Sequence, residues 1–346
     1  MRTLQRGSRR WFLCIAVLLC MLATAWSATC LLLGQAEWVD SITRYEVIVP
    51  QRILNIVKVA NPGIGSSLTF KHKDEQGHFY FYALTDRGPN LQAPALSTGQ
   101  EAIIFMEPDF QPFISLVKVT PLEASVEAVV VIQSHALPSR SCSQADTAEL
   151  PLTLDLVTLK ANGHGLDLEA IDIQGDAFWV ADEYGPSLVK INRAGEIVRT
   201  ITFGSGLPEI LKARIENKGI EAMAITPSGK LIFALESVLN INGETKDCAA
   251  FVRIVELDLE TLHSRMFAYA FDANTYNSPV GVRIGDIAII DEDKWLIIEQ
   301  GKTLGGGWRN TIQLVDSRGA TDISDVKGAD GRELEYSGAE ALRNVR

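Results

Sequence analysis

Four stretches decide how this chain folds: SSLTFKHKDEQGHFYFYALTDRG (66–88), LEAIDIQGDAFWVADEYG (168–185), IEAMAITPSGKLIFALES (220–237) and IGDIAIIDEDKWLIIEQG (284–301). Each reads as an apolar strand, a tight polar turn and a second apolar strand ending in an acid. In the last three an acid also opens the unit. Glu169, Glu221 and Asp286 precede the closing acids Glu183, Glu236 and Glu299 by 14, 15 and 13 residues. Asp182 stands beside Glu183, and Asp86 closes the first unit. Two short antiparallel strands joined by a turn bring their outer ends together, so opening and closing acids meet at one end of each hairpin. The closing acids step by 97, 53 and 63 residues. The shorter steps suit a four-stranded blade with long loops, and the longest suits two blades. The expected fold is all-β, a β-propeller of about six blades, because radial blades repeat in sequence and enclose a channel. A pair of β-sandwiches is the rival, in which repeated acids would scatter over the surface.

The rest of the chain beyond residue 40 agrees. YEVIVP, LNIVKVA, ISLVKV, AVVVIQ, LTLDLVTL, FVRIVELDL and MFAYAF are further short runs rich in β-branched and aromatic residues, with turn signals such as NRAGE and DSRG between runs. Only residues 207–216 (LPEILKARIE) read as a helix. Strands do not alternate with long helices, which argues against a Rossmann or barrel enzyme. Trp179, Trp295, Phe178 and Phe233 fall within strands and read as core.

Of 346 residues, 32 are Lys or Arg and 43 Asp or Glu, a formal net charge of −11. No segment after residue 10 concentrates basic residues, so nucleic acid is excluded as a partner. Residues 1–10 hold four arginines and no acid, and residues 11–34 carry no charge. A basic start followed by an apolar run is a targeting signal. Residues 1–38 are expected to be a signal peptide, cut near Ala25-Trp26-Ser27, or an uncleaved membrane anchor. Both place residues 39–346 outside the cytoplasm, periplasmic or extracellular, with the N-terminal segment as the only membrane contact. Removing residues 1–27 takes four arginines and no acid, leaving 28 basic against 43 acidic, a net charge of −15. Cys142 and Cys248 lie in polar, loop-like stretches of this exported chain and are expected to form a disulfide, against the alternative of two unrelated thiols. No CxxC is present.

Converging carboxylates repel and raise one another's pKa unless a cation lies among them. An all-oxygen donor set points to a hard cation, calcium rather than zinc. The candidate ligands are Asp167, Glu169, Asp182, Glu183, Asn217, Glu221, Glu236, Asp286 and Glu299; the bland reading is a solvated rim of strand-end acids. The candidate catalytic groups are Asp86, Arg87, His164, Glu183 and Tyr184. Arg87, in TDRGPN, can grip a phosphate or carboxylate with two prongs, or simply structure its own acidic loop. Tyr184 offers a hydroxyl or a channel wall, Asn217 an amide carbonyl or a turn cap. GxSxG and HExxH are both missing, which removes the serine elbow and the usual metalloprotease. Metal-activated water attacking an ester or phosphoester is the remaining hydrolytic chemistry.

On TDRGPN (85–90), DLEAIDIQGDAFWVADEYGPSLVKINRAGEIV (167–198), ENKGIEAMAITPSGKLIFALES (216–237) and RIGDIAIIDEDKWLIIEQG (283–301), the chain resembles the phytase-like family, "esterase-like activity of phytase". The resemblance covers roughly residues 45–346. It implies a β-propeller, export, and a hydrolase role on phosphomonoesters or related esters. The chain is expected to be a monomer that takes a small anionic ester substrate or ligand. A calcium-stabilised propeller that binds a ligand or protein partner without catalysis is the alternative. Family members usually carry Glu-Arg-Asp where this chain has Glu299-Gln300-Gly301. They also continue beyond the equivalent of Arg346, so the last blade is expected to be incomplete or closed by the N-terminal strand near residues 45–59.

Overall fold

The computed structural model describes residues 43–59, 62–94, 100–134, 149–159 and 165–345. In chain order the elements begin with β1 (Val47–Ile48), α1 (Gln51–Val57), β2 (Leu68–Lys73), β3 (Phe79–Leu84), β4 (Asn90–Gln92), β5 (Ala102–Phe105), β6 (Phe113–Val119), β7 (Ala124–Val131) and β8 (Leu150–Leu152). They continue with β9 (Leu168–Gln174), β10 (Ala177–Asp182), β11 (Ser187–Ile191), β12 (Ile197–Ile201), β13 (Ile220–Ile225), β14 (Leu231–Leu235), β15 (Phe251–Leu257) and β16 (Ser264–Ala270). The last strands are β17 (Val282–Asp291), β18 (Lys294–Lys302) and β19 (Trp308–Asp316).

The described strands form five sheets, so the molecule is nearly all-β. Sheets β9–β12, β13–β16 and β17–β19 are antiparallel meanders, and the first sheet has the order β1-β7-β6-β3-β2. Each of the four quoted hairpins opens one of these sheets. Strands β4, β5 and β8 make a small separate sheet inserted between β3 and β9. The sequence arithmetic gives about six repeating units, whereas the described residues supply four on this plan.

The four larger sheets stack face to face in sequence order, and alternation along each strand makes this possible. On β10, Phe178 and Val180 pack with Tyr82, Leu84 and Ile114 of the first sheet, while Trp179 and Ala181 pack with Met223, Phe233 and Val255 of the third. Ala224, Ile232 and Val252 then meet Ile284, Trp295 and Ile297 of the fourth. Strands covered on both faces read as continuous apolar runs, and β10, β14 and β15 are buried almost throughout. The far face of the fourth sheet is open, with Ile290 and Leu314 more than half exposed.

Two local expectations fail. LNIVKVA is helical at its start: α1 follows Pro50 and ends at Lys58, which takes a left-handed conformation and closes the last turn onto the Leu54 carbonyl. A short apolar run does not distinguish a strand from a buried helix, and here burial of Ile53 against the first sheet decides for helix. Residues 207–216 keep only a 3₁₀ turn at Glu209–Ala213. The segment near residues 45–59 does not close the last sheet either. Val47 and Ile48 pair in parallel with Ala124 and Ser125, at the outer edge of the first.

The C-terminal stretch is pinned to the third sheet by one buried ion pair. Arg253 on β15 donates from Nε and Nη2 to the two carboxylate oxygens of Glu335, at 2.6 and 3.0 Å. Both side chains are fully buried. Removing one partner of such a pair leaves a charge without compensation, costing about 3–5 kcal/mol. Urea unfolding should show that loss for Arg253→Met, and Arg253→Met combined with Glu335→Leu should recover most of it.

Candidate functional site

The site grows from hairpin register. In the second sheet Ala181 pairs with Ala170 but Asp182 pairs with Leu168, which leaves Glu169 as the extra residue of a β-bulge. In the third, Leu235 pairs with Ile220 and Ala234 with Ala222, leaving Glu221 in the same place. A bulge breaks the period-two alternation and re-aims one side chain. Just outside each hairpin the backbone repeats as well, since Glu183 N–H donates to the Asp167 carbonyl and Glu236 N–H to that of Gly219, both at 2.8 Å. Asp167, Glu169 and Glu183 therefore converge, and each places a carboxylate oxygen within 4.8 Å of the other two.

The fourth hairpin carries the same bulge with different residues. Ile284 pairs with Glu299 and Asp286 with Ile298, so the bulged residue is Gly285. Asp286 comes one position too late and Glu299 one position too early to join the cluster. Gln300, paired with Arg283, occupies the place of Glu183 and Glu236. Glu299 is instead a buried acceptor for two tyrosines, Tyr276 at 2.5 Å and Tyr269 at 2.8 Å. Burial pushes Asp286 up to about 7, with the charge of Asp172 adding to it.

Around the three converging acids the structure assembles both signs of charge. Arg87, buried beside them, reaches Glu149 at 3.0 Å and Asp167 at 3.4 Å and lies 5.9 Å from the centre of the Tyr184 ring. Burial alone would lower its pKa; Asp167, Glu149 and Glu183 outweigh that and raise it. The Tyr184 hydroxyl accepts from the Glu149 N–H at 3.1 Å and donates to Glu216 at 3.3 Å. It is both wall and hydrogen-bonding post, and burial with the nearby Glu216 and Glu149 charges raises its pKa. Glu236 is clasped by Lys218 at 2.7 Å and Arg283 at 2.6 Å. Ser66 donates to Glu169 at 2.5 Å, joining the first sheet to the cluster.

Other predicted residues have scaffolding contacts. One oxygen of Asp182 accepts from the N–H groups of Asp167, Tyr184 and Gly185 at 3.1–3.2 Å, which shapes the DEYG turn. Asp86 accepts from the Gly88 N–H at 2.8 Å. Gly219 is required because a Cβ there would collide with the Glu183 carbonyl. Asn217, two residues earlier, has a positive φ of 53°, and its Oδ1 is buried with no hydrogen-bond partner among the described residues. His164 and Cys142 lie outside the described residues, and Cys248 has no disulfide partner among them. Glu149, Glu216, Lys218, Arg283 and Ser66 were not singled out from the sequence. Lys218 and Arg283 stand inside the quoted motifs, and their positive charge in an acidic repeat is the signal that could have marked them.

The electrostatics leave the acids short of positive charge. Burial first, and then neighbouring carboxylates, raise Glu169, Glu183 and Glu221 well above the ordinary range. The same two causes push Asp182 up to about 8 and Asp86 to about 6. Arg87 and Lys218 oppose this at Glu183, and Arg283 at Glu221, without overcoming it. An all-oxygen set with an unpartnered amide oxygen in the adjoining turn fits a hard divalent cation.

The profile of the phytase-like family, described as "esterase-like activity of phytase", matches residues 63–345. The chain belongs to this family. Every residue of the cluster lies within the phytase-like region. A relative from Arthroderma benhamiae, an "uncharacterized secreted protein", is 32% identical over 109 residues, 23% of this chain and 21% of that one. The phytase-like chain thus aligns with about a fifth of that relative's length. Among solved structures it is similar to the catalytic domain of a Coprinopsis cinerea GH62 α-L-arabinofuranosidase (10% identity, TM-score 0.35, 79% of this chain and 71% of that). A protein of unknown function from Bacteroides caccae gives 12% identity and TM-score 0.34, over 71% of this chain and 77% of that. Likenesses at this level carry no functional argument.

Asp286 offers a test of burial without touching the acid trio. An acid whose folded pKa is raised holds its proton more tightly in the folded state. Its stabilising contribution is complete below the unfolded value of 3.8 and is lost as pH rises through about 7. Asp286→Asn removes that loss. Metal-free thermal melts should show the variant more stable than the parent at pH 8, by up to about 4 kcal/mol for a rise from 3.8 to about 7. Near pH 4 the two should coincide.

Proposed function

We propose that this phytase-like chain is an exported, calcium-assisted hydrolase of phosphomonoesters or related esters, built as a β-propeller whose channel end carries the site. The observation that supports this most is the meeting of Asp167, Glu169 and Glu183 within 4.8 Å, with Arg87 gripping Asp167 from the side. The stacking of four hairpin-led sheets through neighbouring first strands supports the propeller reading. Export draws support from the basic-apolar N-terminus and from the relative described as secreted. Among the described residues no helix is long and apolar enough to cross a membrane, and residues 1–42 lie outside them.

Asp167, Glu169 and Glu183 would hold the cation, with Glu221 and the Asn217 amide oxygen as further donors. A hard divalent ion bound there supplies Lewis-acid polarisation of an ester oxygen and a more acidic water. The chain's own residues do the rest. Arg87 presents a planar guanidinium to an anionic substrate oxygen, fixed by Glu149 and backed by the Tyr184 ring. Without a cation, burial and the neighbouring carboxylates favour protons on Glu169 and Glu183, and a cation held there would displace them. Glu236 holds Lys218 and Arg283 toward the cluster, where they limit the negative charge facing an anionic substrate.

Calcium should raise the melting temperature of the purified protein, and the shift should vanish in Asp167→Asn with Glu183→Gln. A panel of p-nitrophenyl phosphate and carboxylate esters should show turnover that chelator removes. Arg87→Lys should lower kcat/KM on phosphate esters by about 10²-fold, the scale for losing one oriented charge-stabilising donor. A calcium-dependent melt with no turnover would leave a calcium-stabilised binding protein, and a melt indifferent to calcium would remove the metal altogether.

A further inference from the structure

A crevice opens between the first and fourth sheets, and Ser66 on its wall is hydrogen-bonded to the acidic cluster. Its walls are mainly apolar, with Ile64, Leu68, Phe81 and Val117 prominent, but Thr43, Arg44, Ser66 and Ser67 also line it, and Gly285 and Asp286 of β17 stand opposite. The cavity itself measures ≈ 60 Å³, inside a wider recess of ≈ 820 Å³ that includes open solvent. Two features make this more than a packing gap. A polar part of the wall is Ser66, whose hydroxyl oxygen lies 2.5 Å from a Glu169 carboxylate oxygen and 2.8 Å from the Leu168 carbonyl oxygen, with one proton to share between them. The crevice is thus one hydrogen bond from the proposed metal ligands. The opposite wall includes Gly285, so the bulge that carries Glu169 and Glu221 in the second and third sheets brings no carboxylate to it.

We propose that this crevice is a substrate subsite that seats the apolar organic group of the ester, an alkyl or aryl moiety, while the ester's polar head lies at the cluster. The inference rests on the hydrolase reading for the word substrate, and on the crevice itself for the word apolar. Walls of Ile, Leu, Phe and Val bury a hydrocarbon group at less cost than a second phosphate or a hydroxylated ring, for which Arg44, Thr43, Ser66 and Ser67 are the few polar partners. A hydrocarbon group gains about 0.8 kcal/mol for each buried methylene, roughly fourfold in binding. Monoesters with a hydrophobic tail are favoured over short polar ones.

The test measures binding and turnover separately. Titration of the purified chain with the neutral fluorophore N-phenyl-1-naphthylamine should reveal a saturable site. Ile64→Trp, which fills the crevice, and Leu68→Ser, which makes its wall polar, should each weaken that site at least tenfold while leaving the calcium-induced melting shift unchanged. Across p-nitrophenyl esters from acetate to hexanoate, kcat/KM should climb by up to about fourfold per methylene in the parent and stay flat in Ile64→Trp. No saturable probe site, a site indifferent to both substitutions, or a flat chain-length series in an active parent overturns the subsite. If no ester is hydrolysed but the probe site responds to both variants, the hydrolase reading falls and the crevice stands as an apolar ligand site.

Discussion

The second and third sheets are covered on both faces, and a strand covered on both faces either pairs a buried charge, as β15 pairs Arg253 with Glu335, or places it at its end or at a bulge. The candidate site depends on that constraint. Glu169 and Glu221 are bulge residues, and Glu183 and Glu236 are the first residues past their strands. The apolar stacking of Phe178, Trp179, Phe233 and Trp295 fixes the registers, and the registers fix where four carboxylates point. Packing and chemistry are therefore not independent here. A slip of one residue in either hairpin would turn a core side chain outward and an acid inward.

Concentrating acids in a buried place has an electrostatic cost, and the chain meets it only in part. Arg87, Lys218 and Arg283 are each held in ion pairs by acids of the same assembly. They do not restore ordinary pKa values to Glu169, Glu183 or Glu221. A site left this short of positive charge either retains protons or takes up a cation, and the two states have opposite dependence on pH. The unpartnered Asn217 oxygen and the left-handed backbone at that residue sit in the turn that Gly219 presses against Glu183. That is where an extra oxygen donor would be useful.

Much of this was legible in the sequence, and the misses have a common physical origin. The repeated hairpins, the burial of the aromatic residues and the clustering of Asp167, Glu169 and Glu183 follow from alternation and spacing. Asp286 and Glu299 were grouped with them because spacing along the chain cannot reveal which residue a bulge will swallow. Spacings of 14, 15 and 13 look alike as text, yet only the first two bracket acids at equivalent positions. The helix at Gln51–Val57 was missed for a related reason, since LNIVKVA is apolar enough for a strand and only its contacts with the first sheet distinguish the two. Glu149 and Glu216 arrive from loops, where no periodicity marks them.

Register equivalence also gives the departures in the fourth hairpin a meaning that their identities alone do not. Asp167, Glu169 and Glu183 in the second sheet correspond to Gly219, Glu221 and Glu236 in the third and to Arg283, Gly285 and Gln300 in the fourth. Charge at equivalent positions thus runs from three acids, through two, to one cation. On the proposed reading the same fold unit serves first as a donor set for a cation, then as a support, and last as a counter-charge reaching back to Glu236. A ring of identical acid-bearing units would accumulate negative charge on every side. Grading the charge instead confines the three converging acids to one corner and leaves no acid at the equivalent positions of the fourth sheet.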